Sequence, residues 1–264
     1  MHPLINIAVA AARSAGNHIM RYYDRADQLA VERKARNDFV TQVDRGAEAE
    51  IVRAIQKAYP QHAILGEEGG AIGDPQRAEV TWIIDPLDGT TNFLHRIPHF
   101  AVSIGIQVRG RLEHGVIYAP CTQDLYTASR GDGALLNNRK LRVSACKELD
   151  SALIGTGVPL REEYLERYLP MLRNVAANTA GVRRAGAASL DLAYVAAGRL
   201  EGFWEFNLKP WDMAAGIVLV QEAGGVVREI DGEDDVLKTG NILATTSKLA
   251  DELAPLLPRR RRED

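Results

Sequence analysis

Residues 82–93 read WIIDPLDGTTNF, and no other stretch restricts the fold of this chain as much. Trp82, Ile83 and Ile84 form an apolar run that ends on Asp85, followed by Pro86, a second acid at Asp88 and a Gly-Thr-Thr turn. A short apolar run bounded by turn signals predicts a buried strand. An isolated carboxylate at the end of such a strand costs several kcal/mol or more to take out of water, so it must be neutralised, paired or bound to a metal. Two such acids three residues apart demand an explanation.

The rest of the chain supplies layers for that strand. Helical periodicity covers roughly 4–23 and 45–58, the latter ending at Tyr59-Pro60. AILG at 63–66 and VTWIID at 80–85 read as strands, and FAVSIGIQV at 100–108 alternates with strand period. Residues 110–120 look like the return strand of a hairpin, and DLYTASRGDG like a third strand ending in a turn. Helices follow near 162–177 and 187–198, a strand at 201–206, and a helix at 211–225 closed by two glycines. Short strands near 226–229 and 241–245 precede a last helix near 247–256. Interleaved helices with hairpin-connected strands predict a layered α/β or α+β fold rather than a Rossmann sheet. A single domain over 1–264 is expected, as two lobes round one cleft: about 1–145 and 146–264.

Composition narrows the function classes. No apolar run approaches the roughly 18 to 20 residues needed to span a bilayer. The opening MHPLINIAVAAARSAG lacks a charged n-region, and its apolar positions 4, 5, 8, 9, 12 and 15 follow a helical stripe, so a helix is expected there and not a signal peptide. Cys121 and Cys146 have neither CxxC spacing nor a neighbouring His cluster, which disfavours a zinc ribbon or disulfide scaffold and suits a reducing, cytoplasmic setting. The six histidines show no HExxH pattern. A net charge of −3 argues against a generic nucleic-acid binder. The basic tail PRRRRED at 258–264 reads first as a solvated terminus and second as a binding segment.

Five acids stand at predicted element ends: Glu67 and Glu68 in GEEGG, Asp85, Asp88, and Asp212 in WDMAAG. Each alone has an ordinary reading: Asp212 as a helix N-cap, Glu67-Glu68 as a loop pair, Asp88-Gly89 as a turn. Together they point to a shared pocket. Like charges so close cannot all ionise without a cation, and an all-oxygen set without His or Cys favours Mg²⁺. Magnesium held by a few carboxylates takes up phosphate oxygens, and two such ions can stabilise both attacking and leaving oxygens. If a helix starts after Gly89-Thr90-Thr91, its free N–H groups add an anion site, and Gly89 allows close backbone approach. That is a phosphoryl-transfer pattern. No GxxxxGK[ST] loop is present. The D-x-x-D-G-T string is one residue longer than the D-x-D-G-T of haloacid-dehalogenase-type phosphatases, whose first Asp is a nucleophile, which leaves that class a weak alternative.

GEEGG, then WIIDPLDGTTNF, then WDMAAGIVLVQEAGG far downstream, resemble the inositol monophosphatase family of Mg²⁺-dependent, lithium-sensitive phosphatases. Further similarity runs through MHPLINIAVAAARSAG, KARNDFVTQVD at 34–44 and RRAGAASLDLAYVAAGRLEGFWEFNLKPWD at 183–212, nearly the whole chain. The resemblance implies a layered α-β-α-β-α fold, usually a homodimer. Carried over by motif, Glu67, Asp85, the Leu87 carbonyl, Asp88 and Asp212 would hold two to three Mg²⁺ ions. The attacking water would be oriented by Thr90, itself held by Asp44, with general-base help from Thr90-Asp44 or Glu67. Gly89 and Thr90 would hold the phosphate, and Lys34 would moderate the acid cluster. Asp88, Ala188 and Glu205 match positions that touch inositol hydroxyls, with Leu87 and Asp212 beside the substrate and Arg183 at the edge of the site. For Glu205 and Arg183, a surface acid and a solvated pair with Arg184 are the competing ordinary readings.

Two functions follow from the resemblance. The first is hydrolysis of myo-inositol 1-phosphate, and of related polyol or sugar phosphates, to alcohol and phosphate. The second is that of an accessory factor: bacterial members are associated with transcription antitermination at ribosomal RNA operons through Nus factors and RNA polymerase. A third reading, with the acids as caps and turns only, predicts no Mg²⁺ binding.

Overall fold

The computed structural model describes residues 2–26, 31–35, 38–159, 162–232 and 235–257, with side chains outside the description at 31–35, 38–40 and 163. The basic tail therefore lies outside the described residues, as does the Lys34 side chain. The chain opens with α1 (Pro3–Tyr23), the hairpin β1 (Val31–Ala35) and β2 (Asp38–Thr41), and α2 (Gln42–Ala58). Then come β3 (Ala63–Gly66), β4 (Gly70–Ile72), β5 (Val80–Asp88), the one-turn α3 (Thr90–Leu94), β6 (Ala101–Val108) and β7 (Arg111–Ala119). Strands β8 (Asp124–Ser129), β9 (Gly133–Leu136) and β10 (Arg139–Lys140) complete one sheet of order β10-β9-β8-β7-β6-β5-β3-β4.

The second half runs β11 (Leu153–Thr156), α4 (Glu162–Asn178), β12 (Gly181–Arg183), α5 (Ala188–Ala196) and β13 (Gly202–Glu205). It continues through α6 (Pro210–Glu222), β14 (Gly225–Glu229), α7 (Val236–Thr239), β15 (Ile242–Thr246) and α8 (Ala250–Leu253). Its five strands form a sheet of order β12-β11-β13-β15-β14, in which β11 is parallel to both β12 and β13.

Three cores stack these elements into layers. Ala8, Ala12 and Ile19 of α1 and Val43, Ala47 and Ile51 of α2 pack on one face of the larger sheet, against Trp82, Ile84, Ile104 and Val116. The opposite face, through Ile83 and Ile117, meets Leu192 of α5 and Ala214 and Ile217 of α6. Those two helices also cover Phe203 and Ala244 of the smaller sheet. The far face of that sheet, with Trp204 and Leu243, is closed by Met171 and Val175 of α4 and Leu253 of α8. The order is α-β-α-β-α, the layered α/β architecture that the interleaved pattern predicts.

The alternation of strand residues explains the layering. Phe203 and Trp204 are neighbours in β13 and enter different cores because successive strand residues point to opposite faces. Both α5 and α6 lie between two sheets and are apolar nearly all round, as a helix buried on two sides must be. The sequence reading places most of these elements within a few residues and misses the hairpin β1–β2, the short strands β4, β9, β10, β11 and β12, and the one-turn helix α7. VERKARNDFVT is too polar for the apolar pattern to mark it as paired strands. Among the described residues no helix is long and apolar enough to cross a membrane.

Candidate active site

The end of β5 is built by a bulge. Asp85 pairs with Ser103 and Asp88 with Ala101, so Pro86 and Leu87 together stand opposite Val102. Proline suits such a position because it has no N–H to offer a ladder. The Leu87 N–H turns back and donates to Asp85 Oδ1 at 2.9 Å. Gly89 follows with φ at 92°, a left-handed conformation that glycine adopts without steric cost. A Cβ there would also lie 3.0 Å from the His99 carbonyl oxygen. Thr90 then opens α3, and its hydroxyl lies 3.0 Å from Asp44 Oδ1 and 3.1 Å from the Leu87 carbonyl oxygen.

Other elements bring the remaining acids to this point. The Glu67 N–H donates to the Ile84 carbonyl at 3.2 Å, extending the parallel β3–β5 ladder one residue past Gly66, so Glu67 is set beside Asp85. Asp212 sits in the first turn of α6, where its Oδ2 accepts from the Lys209 N–H at 2.6 Å. The Ser103 hydroxyl, opposite Asp85, donates to the Trp211 carbonyl at 3.2 Å and ties that turn to the sheet. Asp88 Oδ2 accepts from the N–H of Ser189 at 2.8 Å and from its hydroxyl, which joins β5 to α5. Asp44 stands at the third position of α2, where Oδ2 accepts from the N–H and the hydroxyl of Thr41 at 2.9 and 2.6 Å.

Electrostatics in this group are unfavourable as it stands. Burial pushes the Asp85 carboxyl well above the aspartate range, and Glu67, Asp88 and Asp212 push it further. Asp212 is raised likewise, by burial and then by Asp88, with Glu67 and Glu205 adding to it. Asp88 is pushed up to about 6 by burial, against the Ser189 hydrogen bonds that hold it down. Among the described residues no three Asp, Glu, His or Cys side chains converge into a closed cation cage. Asp85, Asp88 and Asp212 are each turned onto a backbone N–H, and these bonds set their present orientations. The donor set nevertheless fits a hard divalent cation: carboxylate and carbonyl oxygens only, and several negative groups that raise one another when nothing positive stands among them.

Beside the acids lies a cavity of about 160 Å³ lined by Asp88, Gly157, Arg184, Ala188, Asp191 and Glu205, among others. Glu205 ends β13 facing this cavity, and its carboxyl is pushed up to about 8, first by burial and then by Asp191 and Asp88, against Arg184. Ala188 starts α5 at the cavity wall. Arg183 is exposed on β12 and donates to the Val182 carbonyl at 3.0 Å, while its neighbour Arg184 lines the cavity.

Sequence reasoning passed over Glu48, Ser189 and Asp191, and read Arg184 only as half of a solvated pair with Arg183, whereas it lines the cavity. Asp191 is a buried acid whose Oδ1 has no hydrogen-bond partner. A lone acid within the apolar run SLDLAYVAA was the available signal for it. Ser189 carried none, since a serine near a helix start is ordinary.

Comparison with known proteins gives the family. The family model for the inositol monophosphatase family matches residues 1–262. A protein of Pseudomonas aeruginosa named Nus factor SuhB is 55% identical over 266 residues, covering 98% of each chain. The crystal structure of extragenic suppressor protein suhB from Bartonella henselae superposes with a TM-score of 0.94 at 45% identity, covering 98% of this chain and 100% of that one. An inositol monophosphatase structure from Anabaena (Nostoc) gives a TM-score of 0.84 at 38% identity, over 96% and 94% of the two chains. The chain described here belongs to the inositol monophosphatase family.

Proposed function

We propose that this chain is a Mg²⁺-dependent phosphomonoesterase that hydrolyses myo-inositol 1-phosphate and related polyol phosphates. The observation that carries the reading is the meeting of Glu67, Asp85, Asp88 and Asp212 beside a turn that opens a helix, with the Thr90–Asp44 pair next to them. Glu67, Asp85, the Leu87 carbonyl, Asp88 and Asp212 would hold two to three ions. Such ions, when bound, neutralise phosphate oxygens and make water a better nucleophile near neutral pH.

The protein's own groups order the reaction. Gly89 and Thr90 present the N–H groups at the start of α3, which have no partner within the helix, to the phosphate. The Thr90 hydroxyl gives its proton to Asp44 Oδ1 and keeps its lone pairs for a water molecule. Water attacks phosphorus, the ester P–O bond breaks, the water proton passes through the Thr90 hydroxyl to Asp44 Oδ1, and the departing alkoxide takes a proton from a second water molecule to become the alcohol. Burial lifts the Asp44 carboxyl above its ordinary value, with the Thr41 and Thr90 hydrogen bonds opposing, which favours its use as a proton acceptor. Glu67 offers a second acceptor. Asp88, Ala188 and Glu205, with Arg184, line the cavity where inositol hydroxyls would sit, and Arg183, next in the chain to Arg184, would stand at its edge.

Phosphate release from myo-inositol 1-phosphate by the purified protein tests this. Turnover that requires Mg²⁺ and is suppressed by Li⁺ is expected. A folded, Mg²⁺-loaded protein that leaves a panel of phosphomonoesters untouched would overturn the reading.

A second reading is favoured by the name Nus factor SuhB carried by the similar protein of Pseudomonas aeruginosa. On it the chain acts in the cytoplasm as an accessory factor in ribosomal RNA transcription antitermination, binding Nus factors or RNA polymerase through a surface apart from the acids. A homodimer is proposed for either function, and the two are compatible in one molecule.

A further inference from the structure

The structure carries a second acid on the same face of α2 as Asp44, and the reaction described above leaves it unused. Asp44 and Glu48 stand four residues apart and are 2% and 6% exposed. Asp44 reaches Thr90. Glu48 reaches the GEEGG loop: its Oε2 accepts from the Glu68 N–H at 3.0 Å and its Oε1 from the Gly69 N–H at 2.6 Å. One carboxylate thus holds two successive amides, one with each oxygen, in bonds strengthened by its charge.

The loop is shaped to receive it. A Cβ on Gly66 would lie 2.4 Å from Glu48 Oε2, and one on Gly69 2.6 Å from Oε1, both closer than atoms approach. A Cβ at either place would push the Glu48 carboxylate off the two amides it holds. Glu67 lies between these two glycines, and its own N–H is bound to Ile84, one residue before Asp85. The loop is therefore clamped from one side by β5 and from the other by α2.

We propose that Glu48 is a positioning residue for cation binding: it holds the backbone of the Glu67 loop in register with Asp85, so that one rigid helix, through Asp44 and Glu48, sets both halves of the site. This rests on the reading of Glu67 and Asp85 as cation ligands. A glutamine at 48 would keep the size of the side chain but turn an NH₂ group toward one of the two N–H donors, so one bond would be lost and a donor–donor clash gained.

Isothermal titration of Mg²⁺ into the full-length protein without substrate tests the inference. The unaltered chain, Glu48→Gln, Gly69→Ala and the double variant are compared, with near-UV circular dichroism to confirm folding. Mg²⁺ binding at least tenfold weaker is expected in each single variant. The double variant should be little worse than either, because both changes break one contact from opposite sides. In turnover assays the Mg²⁺ concentration for half-activation should rise while kcat at saturating Mg²⁺ returns toward that of the unaltered chain, a split that general loss of folded protein does not produce. If Glu48→Gln does not fold, Gly69→Ala alone decides by the same two readouts. Folded variants that bind Mg²⁺ as the unaltered chain does, or additive losses in the double variant, overturn the inference alone. An unaltered chain that binds no Mg²⁺ overturns the functional reading and this inference together.

Discussion

The Thr90 hydroxyl lies 3.0 Å from Asp44 Oδ1 although 46 positions of chain separate them, and the Asp44 carboxylate is otherwise filled by the N–H and hydroxyl of Thr41. Asp44 Oδ1 and the Leu87 carbonyl oxygen, 3.1 Å away, are the two acceptors within reach of the hydroxyl proton, and Asp44 is the one that can keep it. Removing the hydroxyl should act on the chemical step more than on binding. Thr90→Val is expected to lower kcat by about 10²- to 10⁴-fold, the range for losing a positioned proton-transfer group. Thr90→Ser should retain most activity. Steady-state kinetics on a phosphomonoester check this, and a fully active Thr90→Val would remove the pair from the mechanism.

Much of this geometry was legible in the sequence because it sits where an apolar pattern stops. Asp85 and Asp88 are conspicuous because a buried strand leads into them, and Asp212 because a helix starts round it. The contacts that orient these acids were not legible. Asp88 is held by Ser189, 101 residues away, and the Glu67 loop by Glu48 on α2. Neither pairing leaves a local trace, since it depends on how layers stack and not on any period along the chain. The parallel contact of β3 with β5, which sets Glu67 beside Asp85, is non-local in the same way.

Cation binding should report on the acids without any turnover. Asp85 is raised by burial and then by Glu67, Asp88 and Asp212, so the unloaded site stores repulsion that a divalent ion relieves. Mg²⁺ at 100 times its Kd should stabilise the fold by about 2.7 kcal/mol, and EDTA should reverse this. Asp85→Asn should melt higher than the unaltered chain in EDTA and gain little from Mg²⁺. Calorimetric melts test both halves; an Asp85→Asn protein that is still stabilised by Mg²⁺ would take Asp85 out of the ligand set.

The contact between the larger sheet and α6 leaves no space for added atoms. A Cβ on Gly115 would lie 2.5 Å from the Ala215 carbonyl oxygen and 3.0 Å from its Cα, both backbone-bound atoms that cannot swing aside. Gly115→Ala is expected to destabilise by about 1–3 kcal/mol, the usual cost of overpacking a core. Since α6 carries Asp212, the half-activating Mg²⁺ concentration should rise in the same variant. Urea denaturation and Mg²⁺ titration measure the two effects, and unchanged stability would show that the layers separate freely.

Buried and half-buried histidines should add an acid-sensitive part to the stability of the folded state. Burial holds His99 below 6.5, and His18 and His114 are lowered first by burial as well, with Glu50 and the pair Glu113 and Asp132 opposing in turn. Unfolded histidines take protons near 6.5 and folded ones only at lower pH, so over that window the histidines bind more protons in the unfolded chain. Their contribution to stability is therefore lost as pH falls below about 6.5, while Glu205, pushed up to about 8 in the folded state, acts in the opposite sense over the same window. Melts from pH 7.5 to 5.5 in saturating Mg²⁺ isolate the histidine part by comparison with His99→Phe, in which Glu205 is unaltered. The unaltered chain should lose stability relative to His99→Phe as pH falls, and a constant difference would take His99 out of the acid response.

The two proposed functions can be separated at one atom. Asp88 belongs to the acid cluster through its effect on Asp212 and to α5 through Ser189. In Asp88→Asn one side-chain oxygen remains to accept from Ser189, so the tie between β5 and α5 survives while a charge needed for a cation is lost. Hydrolysis should fall at least a hundredfold with little change in melting temperature in EDTA. Any binding of Nus factors or RNA polymerase should be retained, since it would use a surface apart from this half-buried group. Phosphate release and pull-down with purified transcription components, measured on the same preparation, test the separation. Loss of both in a folded variant would mean that partner binding needs the loaded site, and that the two functions share one surface.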